Sequence, residues 1–370
     1  MSTTAHLMAL LASALTRITV APAPHADALL PLVEHVGGRM AHAPGDPKAL
    51  FRQWPGSYFE TAFDGQAVLF RIGAGEVRLH ILVDGAQVST LAKPLPGMYR
   101  IAGLAPGRHV LRVEVASESQ TQPTMFGGFF AEAGTRTSPL VNRTRAIEFI
   151  GDSHTVGYGN TSIKTDCTQD EVWKTTDTSK AFGPVLARKY GADYEVNAIS
   201  GRGVVRNYNG FEADKLPEAY PFTLFDKRTL ADEPGWQPQV IVIALGTNDF
   251  TTPLHLGERW ATRDVLHADF EKAYIHFVQR LRARNRNALI VIWATDMAKG
   301  EIETEAAKVT ATLRASGDTL VDYVTVNGLS FTGCHAHPSL DDEAVIVGKI
   351  AAAIDAHGDV WSVDRAQRTN

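Results

Sequence analysis

The spacing of the apolar residues changes near residue 140, and this change constrains the fold more than any other feature of the chain. Between about residues 36 and 134, short runs rich in Val, Ile, Leu and Phe alternate with polar residues and end at turn signals, as in Val77–Val83 followed by Asp84-Gly85. Further along, continuous apolar runs such as Val240–Leu245 alternate with amphipathic helical patterns. The first pattern is typical of an antiparallel β-sandwich, and the second indicates a parallel sheet covered on both faces by helices.

The chain of 370 residues is long enough for two domains. We therefore predict an α/β architecture, with an antiparallel β-sandwich over residues 31–140 and an α/β/α domain with a mostly parallel sheet over residues 141–370. One long helix is predicted in the second domain by apolar residues that recur three or four positions apart, namely Leu266, Phe270, Ala273, Phe277 and Leu281.

Residues 1–30 precede both patterns. Their apolar core, Leu7–Leu15, is followed by an Ala- and Pro-rich stretch, which resembles a secretory signal peptide. No Lys or Arg precedes Leu7, so a helical N-terminal extension is the alternative. We expect a secreted or periplasmic protein. Because no apolar run reaches the roughly 18 residues that span a bilayer, we expect no membrane partner.

Charge and cysteine content weigh against several classes of site. The 36 basic and 41 acidic residues give a net charge of −5, and nucleic-acid-binding proteins usually present a basic face instead. The two cysteines are too few for a disulfide scaffold or an all-cysteine zinc site, but they suffice for one bridge. Nothing in the composition indicates an oligomeric state.

Four short motifs follow predicted strands or precede the last predicted helix. They are Gly151-Asp152-Ser153, Asn197–Gly203, Gly246–Asp249 and Cys334–Ser339. In open α/β sheets, ligands bind beyond the carboxyl ends of the strands, so we expect these motifs at the ligand-binding edge. Taken singly, each motif is also compatible with a turn or a helix cap.

The side chains in these motifs include groups that acyl transfer uses. A serine at a strand-to-helix turn presents its hydroxyl near helix-terminal amides, an asparagine can donate to an oxyanion, and a histidine can accept a proton. His335 and His337, two residues apart, also invite a metal site. No matching cluster of Asp, Glu, His or Cys stands elsewhere at a recognisable spacing. We therefore expect neither a metal nor another cofactor.

Together and in this order, the four motifs resemble the signature blocks of the GDSL, or SGNH, esterase superfamily. The resemblance implies that Ser153 is the nucleophile and His337 the general base. It also implies an oxyanion hole formed by the Ser153 amide, the Gly201 amide and the Asn248 side chain.

A closer resemblance is carried by the sandwich that precedes the α/β/α domain and by two stretches of sequence. These are Trp54–Glu60 and Ile147–Asn160, and they look like carbohydrate esterase family 2. That family implies a jelly-roll-like sandwich followed by a three-layer SGNH hydrolase domain. It also implies removal of acetyl groups from plant polysaccharides such as xylan and glucomannan, so the expected partner is an acetylated polysaccharide or oligosaccharide.

The chain departs from the superfamily beside the histidine. The aspartate that usually lies two residues before it is His335 here, and the tryptophan often found between them is Ala336. We expect a Ser–His dyad whose histidine is oriented by a backbone carbonyl. A carboxylate from Asp341 or Asp342 is the alternative, and impaired catalysis is a third reading. The functional alternatives are an esterase or lipase acting on non-carbohydrate acyl esters, and a carbohydrate-binding protein with a decayed esterase site.

Further residues are candidates for supporting roles. A disulfide between Cys167 and Cys334 would pin the histidine loop against the serine side of the site, and two free thiols are the alternative. For the three aromatic residues among the candidate substrate contacts, packing in the core is the alternative. The candidate substrate contacts are Asp152, Tyr208, Phe250, Trp260 and His335.

Overall fold

The computed structural model describes residues 17–24, 29–358 and 360–362. The first domain consists of antiparallel strands, as the alternating apolar pattern predicts. These strands are β1 (Thr19–Ala23), β2 (Leu30–Pro31), β3 (Glu34–Gly37), β4 (Ala41–Ala43), β5 (Asp46–Arg52), β6 (Tyr58–Asp64), β7 (Ala67–Ile72), β8 (Arg78–Val83), β9 (Ala86–Ala92), β10 (Gly97–Ala102), β11 (Arg108–Val115), β12 (Thr124–Ala131) and β13 (Arg136–Thr137).

The strands of the first domain form two sheets that pack on each other. One sheet has the order β1-β10-β7-β12-β5-β4 with β2 beside β12, and the other has the order β13-β6-β11-β8-β9 with β3 beside β6. Side chains from both sheets form one core, in which Phe59 stacks on Phe126 with ring centroids 4.0 Å apart. This arrangement is the predicted sandwich.

Strand β1 extends the sandwich into the first 30 residues, ahead of the boundary predicted at residue 31. Thr19–Ala23 pairs with Gly97–Ala102 at the edge of the first sheet. Pro22 lies in this strand, and proline is tolerated at a sheet edge because its missing N–H is not needed there. The Ala- and Pro-rich composition around Thr19–Ala23 therefore gave no signal of the strand that forms there. The candidate signal core, Leu7–Leu15, lies outside the described residues.

The second domain alternates strands with helices. Its strands are β14 (Ala146–Gly151), β15 (Asp193–Ala198), β16 (Val240–Ala244), β17 (Leu289–Thr295) and β18 (Val321–Val326), in one parallel sheet of order β15-β14-β16-β17-β18. Its helices are α1 (Ser153–Val156), α2 (Gln169–Thr175), α3 (Phe182–Tyr190), α4 (Leu216–Ala219), α5 (Thr247–Phe250), α6 (Arg263–Arg284), α7 (Glu301–Ala315) and α8 (Leu340–Asp355). Every helix in the described part of the chain is too short or too polar to cross a bilayer.

Helices cover both faces of the parallel sheet, which gives three layers. Ile241 and Ile243 join a core with α6 and α7, whereas Val240 and Val242 join a core with α3 and α8. Successive residues of a strand point to opposite faces, which is why a doubly covered strand reads as a continuous apolar run. The long helix predicted from the apolar spacing is α6, and its apolar face is buried.

The two domains share a buried interface. Trp54 extends from the sandwich into the core of the second domain, and its indole N–H donates to the carbonyl of Phe222 at 2.9 Å. The guanidinium of Arg39, also from the sandwich, lies 4.3 Å from the ring centroid of Tyr220. The sandwich is therefore packed against the domain that carries the four motifs.

Candidate active site

Three adjacent strands bring three of the predicted motifs to one edge of the sheet. Strand β14 lies between β15 and β16, and Ser153 follows β14, Gly201 follows β15 and Asn248 follows β16. His337 lies on the loop before α8. All four residues line one pocket of about 330 Å³. The parallel topology therefore assembles the predicted site, since parallel strands end at the same edge.

Ser153 begins helix α1 at a tight turn. The side chain of Asp152 caps this helix by accepting a hydrogen bond from the backbone N–H of His154 at 3.0 Å. A Cβ at Gly151 would lie 2.0 Å from the hydroxyl of Thr155, so the turn requires glycine at that position. The turn holds the Ser153 side chain at the pocket.

His337 is placed to accept the proton of Ser153. Its Nε2 lies 2.8 Å from Ser153 Oγ, while its Nδ1 lies 2.9 Å from the carbonyl of Cys334 and 3.2 Å from the carbonyl of His335. Because a carbonyl only accepts, Nδ1 carries the hydrogen and donates it. Nε2 is then free to accept from the serine hydroxyl, as general-base catalysis requires. This geometry is that of the predicted dyad.

The two carbonyls reach Nδ1 because Cys334–Ala336 forms a tight turn. His335 has φ +53° and Ala336 has φ +58°, and each residue in this left-handed region costs about 1–2 kcal/mol. A disulfide between Cys334 and Cys167 holds the turn, and His335 Nε2 lies 2.7 Å from the carbonyl of Cys167. The segment before α2 therefore fixes the turn that orients the base.

Burial sets the protonation state of the site. Loss of solvent lowers the pKa of His337 to about 4, although the two carbonyls at Nδ1 oppose this effect. Burial also lowers the pKa of His154 to about 3, and its ring centroid lies 5.5 Å from that of His337. Both imidazoles are therefore neutral at pH 7, and His337 is ready to act as a base.

The predicted donors of the oxyanion hole surround the same pocket. Gly201 has φ +83°, a conformation that favours glycine. The Nδ2 of Asn248 lies 3.1 Å from a carboxylate oxygen of Asp152 and 2.8 Å from the carbonyl of Arg202. These two acceptors orient the Asn248 amide. When the amide donates to an oxyanion, the oxyanion replaces one of the two acceptors.

Known families match both parts of the chain. Residues 36–140 match the carbohydrate esterase 2 N-terminal family, and residues 149–344 match the GDSL-like lipase/acylhydrolase family. An acetylxylan esterase / glucomannan deacetylase of Cellvibrio japonicus is 41% identical over 339 residues, which cover 91% of this chain and 94% of that protein. The chain belongs to carbohydrate esterase family 2.

Solved carbohydrate esterases share the fold of this esterase. A carbohydrate esterase whose active site displays divergent catalytic and non-catalytic binding functions superposes with a TM-score of 0.84 at 38% identity, covering 90% of this chain and 99% of its own. A family-two carbohydrate esterase from Clostridium thermocellum in complex with cellohexaose gives a TM-score of 0.77 at 25% identity, covering 89% of this chain and 100% of its own. The sandwich and the three-layer domain are therefore the two domains of this family.

The carboxylates considered as partners of the base in this esterase serve the last helix instead. Asp342 accepts hydrogen bonds from the backbone N–H groups of Ser330 and Phe331 at 2.7 and 2.9 Å, and it forms the capping box of α8 with Ser339. Asp341 is exposed in the first turn of the same helix. The acceptors at the base are backbone carbonyls.

Two of the five candidate substrate contacts line the catalytic pocket. Tyr208 is 52% exposed there, which leaves its ring accessible to a ligand. His335 lines the pocket as well, and its Nδ1 lies 3.0 Å from the hydroxyl of Tyr158. These two residues keep their candidate roles.

The other three candidates do not line the pocket, and the structure corrects their placement. Phe250 is 2% exposed and packs edge-to-face on Phe270, with centroids 4.7 Å apart. Trp260 is 9% exposed, and its indole N–H donates to Asp269 at 2.9 Å. Asp152 is buried under the pocket as the cap of α1 and the acceptor of the Asn248 amide. The long helix α6 covers the two rings, as aromatic side chains mostly fill cores.

Two functional residues were missed by the reasoning from sequence. Tyr158 lines the pocket with its ring centroid 4.3 Å from that of His337. Asp249 accepts hydrogen bonds from the backbone N–H groups of residues 204–206 at 2.9–3.0 Å, which holds the loop that follows Gly201. Burial raises the pKa of Asp249 to about 6. Both residues belong to the motif stretches, and this membership was the signal available in the sequence.

The histidine pair that invited a metal hypothesis is engaged within the protein. His335 contacts the hydroxyl of Tyr158 and the carbonyl of Cys167 through its two ring nitrogens. Across the described ranges, no group of three or more His, Cys, Asp or Glu side chains is arranged to hold a metal ion.

Proposed function

We propose that this esterase removes O-acetyl groups from a plant-type polysaccharide or oligosaccharide such as xylan or glucomannan. The observation that carries the proposal is the 2.8 Å contact between His337 Nε2 and Ser153 Oγ at a pocket open to solvent. The 41% identity to an acetylxylan esterase / glucomannan deacetylase supports the substrate class.

The chemistry begins with the hydroxyl of Ser153. As its Oγ attacks the acetyl carbonyl carbon, His337 Nε2 takes the hydroxyl proton. The carbonyl oxygen gains negative charge, which the amides of Ser153 and Gly201 and the side chain of Asn248 stabilise. The tetrahedral intermediate collapses, the sugar oxygen leaves with the proton from Nε2, and the acetyl group remains on Oγ.

Water completes the cycle at the same groups. His337 Nε2 accepts a proton from a water molecule as the water oxygen attacks the acetyl carbon on Ser153. The second tetrahedral intermediate releases acetate and returns the proton to Oγ. The hydrogen stays on Nδ1 and is donated to the two carbonyls throughout, so the ring keeps its orientation in both halves of the reaction.

Acetate release from acetylated xylan and acetylated glucomannan tests the proposal. Ser153→Ala and His337→Ala are each expected to lower kcat by more than about 10⁴-fold, as for the removal of other nucleophile or base side chains. Ser316→Ala, at the exposed end of α7, is the matched control and should keep full activity. Full activity in Ser153→Ala would overturn the assignment.

The same enzyme preparation separates the alternative functions. Faster hydrolysis of an octanoyl ester than of an acetyl ester would favour an esterase or lipase acting on non-carbohydrate acyl groups. Binding of the polysaccharide with no release of acetate would favour a carbohydrate-binding protein with a decayed site. The intact hydrogen bond between Ser153 and His337 weighs against the second alternative.

We also propose that the esterase is exported to the periplasm or the medium. The disulfide between Cys167 and Cys334 supports export, because disulfides persist in oxidising compartments. Mass spectrometry of protein recovered from the medium and periplasm should find the N-terminal segment removed. Recovery of the uncleaved protein from the cytoplasm alone would contradict export.

A further inference from the structure

A second groove of about 750 Å³ lies between the two domains. Its sandwich side is lined by Glu76, Lys93 and residues 118–122, and its other side by Tyr158 and helix α2 with Trp173. Neither the family assignment nor the catalytic chemistry gives this groove a role. Its volume falls within the range of small-molecule binding sites.

The groove adjoins the catalytic pocket at Tyr158. Tyr158 lines both, and its ring centroid lies 4.3 Å from that of His337. On the sandwich side, the carboxylate of Glu118 accepts a hydrogen bond from the backbone N–H of Ser200 at 2.8 Å, and Gln120 Nε2 donates to the Ser200 carbonyl at 3.2 Å. Ser200 also lines the catalytic pocket. The groove therefore begins at the wall of the catalytic pocket that Tyr158 forms.

The lining chemistry fits a carbohydrate. The half-buried ring of Trp173 provides an apolar face for the C–H groups of a sugar, and the ammonium of Lys93 lies 4.8 Å from its centroid. Gln120, Gln122 and Gln169 offer both donors and acceptors for hydroxyl groups. Aromatic surface with a few polar groups around it is typical of sites that hold small polar molecules.

The charges of the groove select among carbohydrates. Three carboxylates, those of Glu76, Glu118 and Asp170, line it together with the ammonium of Lys93. The Lys93 ammonium lies 3.0 Å from Glu76, and the Lys174 ammonium lies 2.6 Å from Asp170. Among the described residues, Glu118 is therefore the lining carboxylate left without a salt bridge. The carboxylate of Glu118, which lies beside Ser200 of the catalytic pocket, disfavours a uronic acid and leaves neutral sugars as the matching class.

We infer that this groove binds the neutral main chain of the polysaccharide next to the sugar that carries the acetyl group. The inference rests on the proposed deacetylation and adds that the sandwich forms part of the substrate site. Helix α2 is well placed for this role, since its capping box and the disulfide just before it fix its first turn. The sandwich therefore contributes to polymer recognition in addition to its packing role.

Replacement of the aromatic platform tests the inference. For Trp173→Ala, we expect kcat/KM on acetylated glucomannan to fall about tenfold relative to kcat/KM on 4-nitrophenyl acetate, mainly through KM. Trp361→Ala is the matched control, because that half-buried tryptophan also has a cation against its ring, with Arg145 at 5.1 Å, and lies outside the groove. The control should leave the ratio of the two activities unchanged.

A second variant covers the case in which Trp173→Ala does not fold. Gln122→Ala changes an exposed residue of the sandwich wall, and we expect it to lower the same ratio about threefold. Unacetylated manno-oligosaccharide should inhibit the wild type competitively and inhibit these variants less. Oligogalacturonate, which carries uronic acids, should not inhibit.

The outcomes separate this inference from the proposed function. If the ratio of kcat/KM on acetylated glucomannan to kcat/KM on 4-nitrophenyl acetate is unchanged in both Trp173→Ala and Gln122→Ala, and acetate is still released from the polymer, the groove does not bind the main chain. The proposed deacetylation is then unaffected. Inhibition by oligogalacturonate equal to that by manno-oligosaccharide overturns the neutral class. Hydrolysis of 4-nitrophenyl acetate without acetate release from any polymer overturns the proposed function and this inference with it.

Discussion

At His337, two backbone carbonyls occupy the place that a carboxylate has in a triad. A carbonyl and a carboxylate both fix the hydrogen on Nδ1, but a carbonyl carries only a partial negative charge. The imidazolium that forms during catalysis is therefore stabilised less than it would be beside an aspartate. Burial acts in the same direction, because it disfavours the charged ring. The protonated form of His337 is therefore less stabilised, and as a consequence the neutral base persists to lower pH.

The pH dependence of kcat/KM follows from this environment. Burial lowers the pKa of His337 to about 4, so the base is unprotonated above that pH and becomes protonated as the pH falls through it. We expect kcat/KM for 4-nitrophenyl acetate to be level from about pH 7 to pH 5 and to reach half its plateau near pH 4. Circular dichroism at the same pH values checks that the protein stays folded.

A second titrating group lies close enough to need its own control. Burial raises the pKa of Asp152 to about 7, and this carboxylate contacts the Asn248 amide. In the Asp152→Asn variant, residue 152 cannot titrate. The variant should still lose kcat/KM near pH 4 if that loss is caused by protonation of His337. A wild-type midpoint between pH 6 and 7 would contradict the assignment to the buried histidine.

Phe250 and Tyr208 were both candidate substrate contacts in the sequence, but the structure buries the first and exposes the second. Phe250→Ala is expected to lower the free energy of unfolding by about 3–5 kcal/mol with KM unchanged, because the ring is buried against Phe270. Tyr208→Ala should raise KM for the polysaccharide and leave stability within about 0.5 kcal/mol, because its ring is half exposed. Urea denaturation and steady-state kinetics measure both quantities, and the opposite pattern would restore Phe250 as a contact.

At the scale of elements, the turn Cys334–Ala336 depends on a segment far away in the chain. Two consecutive non-glycine residues with positive φ persist only where the surroundings over-determine them. The disulfide to Cys167 and the contact of His335 with the Cys167 carbonyl do so here. The insert before α2 is therefore part of the apparatus that positions the base.

Removal of the disulfide tests this dependence. The double variant Cys167→Ser, Cys334→Ser should lose about 2–4 kcal/mol of unfolding free energy and about tenfold in kcat, since the turn gains freedom and His337 loses its fixed carbonyls. Urea denaturation and kcat measure the two effects. Dithiothreitol should lower the kcat of the wild type and leave the double variant unaffected. Unchanged kcat in the double variant would show that the hydrogen bonds alone hold the turn.

The elements themselves were largely predictable, because each is encoded by a local period. The helix predicted from Leu266 to Leu281 is α6, Arg263–Arg284, and the alternating run Val77–Val83 contains β8, Arg78–Val83. Strand β1 was not predicted, because this proline-containing edge strand lacks the alternation of apolar and polar residues that indicates a strand. Its pairing with β10 depends on contacts far away in the sequence, which no local pattern contains.

At the scale of the whole molecule, a buried charge cluster joins the two domains. Arg39 lies 3.5 Å from Glu148 and 3.4 Å from Glu195, which are paired neighbours on β14 and β15. Burial raises the pKa of Glu195 well above its usual value, and the ring of Tyr220 covers the guanidinium. The sandwich therefore supplies the cation that compensates acidic residues inside the sheet of the second domain.

Loss of that cation should destabilise the whole chain. Arg39→Met is expected to lower the free energy of unfolding by about 3–5 kcal/mol, because it leaves the buried carboxylate of Glu148 without its cationic partner. Arg136→Met removes an exposed arginine of the same domain and should change stability by less than about 0.5 kcal/mol. Urea denaturation compares the two variants. Equal stabilities would mean that the cluster does not couple the domains.

The sequence by itself determined the two domains, most of their elements and the four motifs that hold Ser153, Gly201, Asn248 and His337, because periodicity and motif order are local properties. Tertiary structure alone decided which atoms accept the Nδ1 hydrogen of His337, that Cys167 bonds to Cys334, and that Phe250 is core rather than contact. It also decided that the sandwich forms one wall of the groove beside Tyr158 and that Glu118 accepts a hydrogen bond from Ser200. These features arise between residues distant in the chain, and only packing brings them together.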